Sequence, residues 1–174
     1  MLQEQRAYYK SEIGWLEIVG TEEAIKAIEF IEAEAVNDDS MPVQGTGEVS
    51  ICLTQLDEYF KGSRKDFSFK LAPECTEFQK AVWQELVTIP FGETVSYFDI
   101  AKALKNEKAV RAVGAANGRN PIVIVVPCHR VIGSNGKLTG YGGGLWRKQR
   151  LLELESGQTD VFSSRPVSDA AGRT

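Results

Sequence analysis

Five consecutive β-branched residues, Ile122 to Val126, constrain the fold of this chain more than any other segment. An uninterrupted run of Ile and Val is typical of a strand that is buried on both faces. Pro121 and Pro127 bound the run on either side. We therefore predict a short buried strand over 122–126, and Cys128 stands at its exit.

The apolar pattern elsewhere predicts an α+β fold built from two parts. Residues 7–32 hold two short apolar runs that favour strands, and Phe67 to Leu71 alternate as a further short strand. Helical spacing begins after Gly47 and dominates from residue 76 onward. The expected parts are a small N-terminal α/β subdomain over 1–72 with an antiparallel sheet and a helix, a mainly helical C-terminal domain over 76–157, and a flexible tail over 158–174.

Two short helices follow each other closely in the second part. Ser96 is a candidate N-cap with Asp99 three residues later, and a second helix starts near Glu107 and ends at Gly118. A tight link between two short helices is typical of a helix-turn-helix. Arg111 lies near the start of the second helix, where such proteins direct side chains into a DNA groove.

The distribution of charge favours DNA as the partner, although the whole chain carries a formal net charge of −4. Residues 101–150 hold ten basic side chains and one acidic side chain, a net charge of +9. Residues 1–75 hold seven basic and fifteen acidic side chains, a net charge of −8. Because phosphate backbones are bound by clustered Lys and Arg, the basic segment should face DNA and the acidic half should face away.

Cysteine and histidine usage excludes several classes of protein. Cys52, Cys75 and Cys128 are odd in number and share no short spacing, which argues against a disulfide framework and favours a reducing compartment. His129 is the only histidine, so a zinc site with two histidines is impossible. We expect no metal and no cofactor.

Hydropathy gives no sign of a membrane protein. No apolar run approaches the roughly 20 residues that span a bilayer, and Met1 to Lys10 is polar rather than signal-like. We expect no membrane partner and a cytoplasmic location, associated with the nucleoid if the source is prokaryotic.

Cys128 has the neighbours that a nucleophilic thiol requires. A free thiol, with a pKa of about 8.5, is mostly protonated at neutral pH, and His129 and Arg130 follow directly. Side chains of adjacent residues diverge, so a water bridging Cys128 and His129 is favoured over direct contact. Glu155, on the last turn of the final helix, is the candidate that orients the imidazole. For an arbitrary Cys-His pair, an inert buried thiol is the more common outcome.

The segment Pro127-Cys128-His129-Arg130-Val131 resembles the active-site signature of the O6-alkylguanine-DNA alkyltransferases, also called methylated-DNA–protein-cysteine methyltransferases. The resemblance covers about residues 76–155, and the N-terminal part matches only in general character. Further segments match in order and spacing: 78–83, 89–94, 96–97, 108–114, 117–121 and 141–145.

This resemblance implies a catalytic set. Cys128 would accept the alkyl group irreversibly, and His129, through a water and with Glu155 behind it, would draw off the thiol proton. Asn120 would brace the active-site turn through hydrogen bonds. Tyr97 would donate to the flipped guanine and help it to leave as a neutral base. Because a thioether is a stable product, the resemblance implies one turnover per molecule.

The resemblance also implies a base pocket and a DNA surface. The carbonyl of Val131, with Tyr141 and the backbone N–H of Gly142, would line the pocket that reads the guanine edge. Arg111 would occupy the gap left by the flipped nucleotide. The expected partner is double-stranded DNA containing O6-alkylguanine, bound through the minor groove by a monomer with little regard to sequence. The expected DNA contacts are Lys108, Arg111, Ala112, Gly114 and Arg130.

Three other functions remain open at this point. A binding protein of the alkyltransferase-like type would recognise alkylated bases without repair, and such proteins carry another residue at the position of Cys128. A cysteine hydrolase would need a direct Cys128-His129 dyad and an oxyanion hole. A transcription factor would use the same helix-turn-helix to read operators.

Overall fold

The computed structural model describes residues 1–36 and 45–157, so the tail expected over 158–174 lies outside the described residues. The chain divides into two compact units. Among the described residues, the first contains those of 1–74 together with Pro121–Val123, and the second contains Cys75–Asn120 together with residues 124–157. Strands and a long helix form the first unit and helices dominate the second, which confirms the α+β prediction.

An antiparallel sheet of three strands forms one layer of the first unit. Its order is β1 (Gln5–Ser11), β2 (Gly14–Gly20) and β3 (Ile25–Ile31). β1 pairs with β2 from Gln5 opposite Gly20 to Ser11 opposite Gly14. β2 and β3 match the two apolar runs of the sequence, whereas β1 alternates polar and apolar residues and was not predicted.

One amphipathic helix, α1 (Gly47–Phe60), packs on this sheet. Its buried face carries Val49, Cys52 and Leu56 at helical spacing, and each is fully buried. Full burial of one such aliphatic side chain contributes roughly 1.5 to 3 kcal/mol. The side chains of the two layers therefore form the apolar core of the first unit.

The strand predicted over 122–126 is wrong. Ile122 forms only an isolated bridge with Ile28 of β3, and Val123 N donates to the Ile28 carbonyl. The chain then turns at Ile124, whose φ is +73°, a region that β-branched residues seldom occupy. Likewise, the alternation over Phe67 to Leu71 gives one bridge, Leu71 with Ile25, rather than a strand.

Helices α2 to α5 build the second unit. They are α2 (Glu77–Leu86), α3 (Tyr97–Ala103), α4 (Val110–Gly118) and α5 (Leu145–Ser156). A 3-10 turn over Glu107–Ala109 leads into α4, and the short strands β4 (Val95–Ser96) and β5 (Val131–Ile132) pair in parallel. None of the described helices has the length and apolar character required to cross a bilayer.

Caps and one buried indole fix the helices around α4. Ser96 Oγ accepts from Asp99 N and the Asp99 carboxylate accepts from Ser96 N, which is the predicted capping box of α3. Trp83 of α2 donates through Nε1 to the Ala116 carbonyl of α4 over 2.9 Å. α4 packs against both α2 and α3, so the predicted pair of closely linked helices is confirmed.

Candidate active site

Cys128 lies in a buried 3-10 turn, Cys128–Arg130, between Pro127 and β5. Cys128 N donates to the Val126 carbonyl over 2.8 Å, and Asn120 Nδ2 donates to that same carbonyl over 2.7 Å. The left-handed conformation of Ile124 costs on the order of 1 to 3 kcal/mol and persists only where the surroundings hold it. Asn120 therefore fastens the turn that presents the cysteine.

The Cys128 sulfur lies among groups that attract negative charge. The Asn120 side chain, the backbone N–H groups of Cys128 and His129, and the Lys148 ammonium all favour the thiolate. Burial opposes them and is stronger, so the pKa of Cys128 lies above its ordinary value. The resting residue is a thiol, and its proton must leave when the sulfur reacts.

His129 is held in one tautomer by Glu155. The ring is fully buried, and Nε2 lies 2.6 Å from Glu155 Oε1. Because that oxygen belongs to a carboxylate, Nε2 carries the hydrogen and Nδ1 presents its lone pair. Among the described residues, nothing hydrogen-bonds to His129 Nδ1. The imidazole thus does not bond directly to Cys128, as expected, and keeps one basic nitrogen for a proton.

Arg130 completes a buried ion cluster with Glu155, which corrects the expectation that it contacts DNA. Its Nε and Nη2 donate to the two Glu155 oxygens over 2.8 and 2.9 Å, and its Nη1 donates to the Ile89 carbonyl over 2.7 Å. Only 6% of Arg130 is exposed. Burial alone would raise the pKa of Glu155, but the charges and hydrogen bonds of His129 and Arg130 hold it well below its ordinary value.

A glycine lets the loop after α2 approach the end of α5. Gly92 has a φ of +82°, and a Cβ on it would lie 3.2 Å from the Glu155 carbonyl oxygen. This loop also supplies the Ile89 carbonyl that binds Arg130. The turn signal Pro90-Phe91-Gly92 therefore serves the site, although its sequence predicted only a turn.

A cavity of about 490 Å³ is lined by two of the three predicted pocket residues, Tyr141 and Gly142, and by Tyr97. Val131 is fully buried in β5 and is not part of the cavity wall. Gly142 is exposed, and a Cβ on it would meet no atom within 4 Å. The wall consists of Tyr97, Val110, Gly114, Asn117, Gly118, Thr139, Gly140, Tyr141 and Gly142.

Tyr97 and Lys148 meet at one backbone carbonyl beside this cavity. Tyr97 Oη donates to the Thr139 carbonyl over 3.1 Å, and Lys148 Nζ donates to the same oxygen over 2.8 Å. Burial lowers the pKa of Lys148 to about 8, although the Cys128 charge acts in the opposite direction. Burial raises the pKa of Tyr97, so its hydroxyl stays protonated at neutral pH. In the sequence analysis Lys148 contributed only to the net charge of residues 101–150, and its place in the site was not predicted.

One face of α4 and its entry turn is exposed and basic. Lys108, Arg111, Ala112, Ala115 and Arg119 are exposed, and they recur at the three- and four-residue spacing of a helix face. Alanine between cations lets the backbone come close to another surface. This face has the charge and the small side chains that a nucleic-acid contact requires.

The other cysteines lie in different surroundings. Cys52 is buried, Cys75 is exposed, and both are free. Within 1–36 and 45–157, no three acidic, cysteine or histidine side chains are grouped to hold a metal ion. The arrangement at Cys128 can move a proton from a thiol to an imidazole backed by a carboxylate. The cavity, whose wall includes the Asn117 that donates to the Cys128 carbonyl, can receive a small ligand.

Two protein-family models cover most of the chain. Residues 5–73 match the ribonuclease-like domain of 6-O-methylguanine DNA methyltransferase, and residues 77–157 match its DNA binding domain. The methylated-DNA–protein-cysteine methyltransferase of Methanosarcina acetivorans is 50% identical over 150 residues, which cover 86% of this chain and 96% of that protein. Its counterpart in Mycobacterium tuberculosis is 46% identical over 145 residues, covering 83% and 88%.

Solved structures give the same likeness. The crystal structure of the M. tuberculosis O6-methylguanine methyltransferase superposes with a TM-score of 0.77 at 41% identity, covering 91% of this chain and 96% of that one. The M. tuberculosis protein in complex with DNA superposes with a TM-score of 0.74 at 44% identity, covering 86% and 91%. Both parts of this chain therefore have counterparts in single solved proteins.

Proposed function

The chain belongs to the O6-methylguanine DNA methyltransferase family, and we propose that Cys128 is the residue with which it takes the methyl group from damaged DNA. Its activity is that of a methylated-DNA–protein-cysteine methyltransferase, and DNA is its partner. One observation carries the assignment of Cys128: its turn leads directly into His129, whose Nδ1 is a buried acceptor without a partner among the described residues. Neither Cys52 nor Cys75 is followed by a histidine in the sequence.

The proposed reaction begins with proton transfer from the Cys128 thiol. A water carries the proton to His129 Nδ1, and the imidazolium that forms is stabilised by the Glu155 carboxylate, 2.6 Å from Nε2. The thiolate is held by Asn120, the backbone N–H groups and Lys148. It attacks the methyl carbon, the new S–C bond forms as the C–O6 bond breaks, and the electron pair of that bond stays on the base.

Tyr97 is proposed to supply the proton that leaves guanine neutral. Tyr97 lines the cavity, and its hydroxyl donates to the Thr139 carbonyl, an oxygen that Lys148 also binds. With Lys148 on that oxygen, Tyr97 Oη can turn to a ring nitrogen of the bound base without leaving the carbonyl unpaired. The thioether on Cys128 has no route back to a thiol, so each molecule acts once.

We propose that the exposed face of α4 binds the minor groove of duplex DNA. Lys108, Arg111 and Arg119 would contact phosphates or the groove, while Ala112 and Gly114 allow close approach. Such a face offers few groups that hydrogen-bond to base edges, so binding should be salt-sensitive and largely independent of sequence. Arg111 would fill the gap left when O6-alkylguanine rotates out. We further propose a monomer that works in the cytoplasm.

Stoichiometric repair tests this function. One equivalent of protein is expected to convert one equivalent of O6-methylguanine in a duplex to guanine and then to stop, because the acceptor is consumed. Digestion of the DNA and chromatography of its nucleosides measures the yield at rising ratios of protein to DNA. Binding of the duplex with no guanine formed would instead show a recognition protein of the alkyltransferase-like type.

Arg111→Ala is expected to slow repair of duplex O6-methylguanine about tenfold and to leave the reaction with free O6-benzylguanine unchanged. Extrusion of a base costs a few kcal/mol, and the guanidinium offsets part of that cost only when a duplex is present. Rate constants of wild type and Arg111→Ala, measured with the duplex and with free O6-benzylguanine, show whether only the duplex reaction is slowed. Arg6→Ala, an exposed arginine of β1, is the charge-matched control and should change neither rate. Equal losses for both substrates would remove the proposed role of Arg111.

A further inference from the structure

One large aromatic side chain of the second unit is exposed at the start of α5. Trp146 is 53% exposed, and no other large apolar side chain within residues 124–157 is exposed. A tryptophan is on average among the more deeply covered residues of a folded protein, because its large ring gains most from burial. The fold therefore leaves an aromatic surface of unusual size in contact with solvent.

Two neighbours hold the Trp146 indole in place. The Arg147 guanidinium lies over the ring, with its central carbon 4.6 Å from the ring centroid. Gly144 has a φ of +95°, and a Cβ on it would lie 3.2 Å from Trp146 Cδ1, so the glycine lets the ring edge approach the backbone. Because the guanidinium covers one face, an exposed fraction this large requires the opposite face to be open to solvent. We call Trp146 and Arg147 together the aromatic platform.

The aromatic platform is tied to the loop that forms part of the cavity wall. Arg147 Nη1 donates to the Gly143 carbonyl over 2.8 Å, and Gly143 follows Gly142, which lines the cavity. Residues of α4, the helix that carries the proposed DNA face, line the same cavity. The aromatic platform and α4 therefore both adjoin one cavity within the second unit.

The charge around the aromatic platform indicates which kind of partner it fits. From residue 108 to residue 152 the chain carries eight Lys and Arg residues and no Asp or Glu. Arg150, one helical turn after Trp146, is exposed as well. A docking site for another protein would be expected to lie in a wider apolar patch. A single indole among cations instead suits a nucleobase, whose flat ring stacks on the indole while its phosphates meet the arginines.

The geometry of stacking determines which form of DNA can use this contact. In a duplex, neighbouring bases cover the two faces of each base, and proteins reach only the base edges and the backbone. In a single strand, a base can leave its neighbours and lie flat on an aromatic ring. We propose that the aromatic platform binds an unpaired base of single-stranded DNA by stacking on Trp146, separately from the α4 face and from the cavity. The inference rests on DNA as the partner of this chain, and it does not depend on the chemistry at Cys128.

The test measures binding of a fluorescein-labelled oligothymidine of about twelve nucleotides, which contains no guanine and no alkyl group. Trp146→Leu keeps an apolar side chain and loses the aromatic ring, so it should weaken this binding about tenfold, the usual size of one stacking contact. Binding of an undamaged duplex of the same length should change by less than about twofold, because its bases stay stacked. Fluorescence anisotropy measures both affinities. Trp146→Phe, which keeps a ring, should bind the oligothymidine within about threefold of wild type.

Tryptophan fluorescence gives a direct sign of stacking and supplies the matched control. An indole that stacks on a base loses fluorescence, so unlabelled oligothymidine should quench the wild type and should not quench Trp146→Phe. Trp15 is a second indole with a cation nearby, Lys10, whose Nζ lies 5.8 Å from the ring centroid, but it belongs to the acidic first unit. Trp15→Phe should therefore keep both the quenching and the affinity for oligothymidine.

Three results would overturn the inference. They are an unchanged affinity for oligothymidine in Trp146→Leu, an equal loss of single-strand and duplex binding in that variant, and quenching that survives in Trp146→Phe. The second of these would show a general effect on DNA binding rather than stacking of an unpaired base. Absence of methyl transfer by the wild-type chain would instead refute the proposed function and leave this inference standing, since oligothymidine binding is measured without any lesion.

Discussion

Cys128→Ala is expected to abolish methyl transfer completely while the protein still folds and still binds DNA. The substitution removes one buried sulfur and keeps two hydrogen bonds, that of Asn120 to the Val126 carbonyl and that of His129 to Glu155. Electrophoretic mobility shift with a duplex containing O6-methylguanine measures binding, and guanine recovered from that duplex measures repair. Repair that survives in this variant would show that the acceptor lies elsewhere.

Two matched substitutions control for the other thiols. Cys52 is fully buried in α1, and burial raises its pKa far above the ordinary range, so it cannot supply a thiolate at neutral pH. Cys75 is exposed, and its neighbours in the sequence, Glu74 and Thr76, supply no imidazole. Cys52→Ala and Cys75→Ala should therefore each retain repair of one lesion per molecule.

Glu155→Gln is expected to destabilise the fold by about 3 to 5 kcal/mol and to slow methyl transfer more than a hundredfold. The amide cannot balance the buried Arg130 charge, and removal of one partner from a buried ion pair has a cost of this size. It also cannot stabilise the imidazolium that forms when His129 takes the thiol proton. Urea unfolding and single-turnover kinetics at a permissive temperature measure the two effects separately.

Glu153→Gln on the same helix is the matched control. The Glu153 side chain is only 6% exposed, but its ionic partner Arg150 is 49% exposed, so Glu153→Gln leaves no buried charge unpaired and keeps an oxygen that can accept from Gln149. Glu153→Gln should therefore lower the free energy of unfolding by no more than about 1 kcal/mol and leave the rate of methyl transfer unchanged. Equal destabilisation by both substitutions would contradict the buried-cluster account.

The stability effect of Glu155 should also depend on pH. The pKa of Glu155 in the folded chain lies well below its unfolded value of about 4.3. Its contribution is therefore fully present above that unfolded value and is lost as the pH falls toward the folded pKa. The gap in unfolding free energy between wild type and Glu155→Gln should shrink below pH of about 4.3.

The sequence predicted most helices because their signals are local. The Ser96 and Asp99 pair marks the start of α3, and apolar spacing marks α1 and α2. The strand predicted over Ile122 to Val126 was wrong because β-propensity says nothing about pairing partners. In the structure Ile28 pairs only with Ile122, at the start of the run. The left-handed turn at Ile124 depends on Asn120 and the Val126 carbonyl, a contact between separated positions.

The structure brings together those predicted residues that stand beside Cys128 or that the family resemblance implies, such as His129 and Glu155, but the sequence could not predict which charged side chains are buried. Arg130 carries the same charge as Arg111, but only the three-dimensional structure shows that Arg130 donates hydrogen bonds to Glu155. Lys148 is fully buried, and burial lowers its pKa to about 8. From composition alone, Lys148 would be taken for an ordinary surface cation.

Peptide mapping by mass spectrometry after reaction with O6-methylguanine DNA tests the central assignment most directly. We predict one added methyl group per chain, located on the peptide that contains Cys128 and absent from those that contain Cys52 and Cys75. A methyl group on Cys75 or Cys52, or an unmodified chain beside repaired DNA, would contradict it.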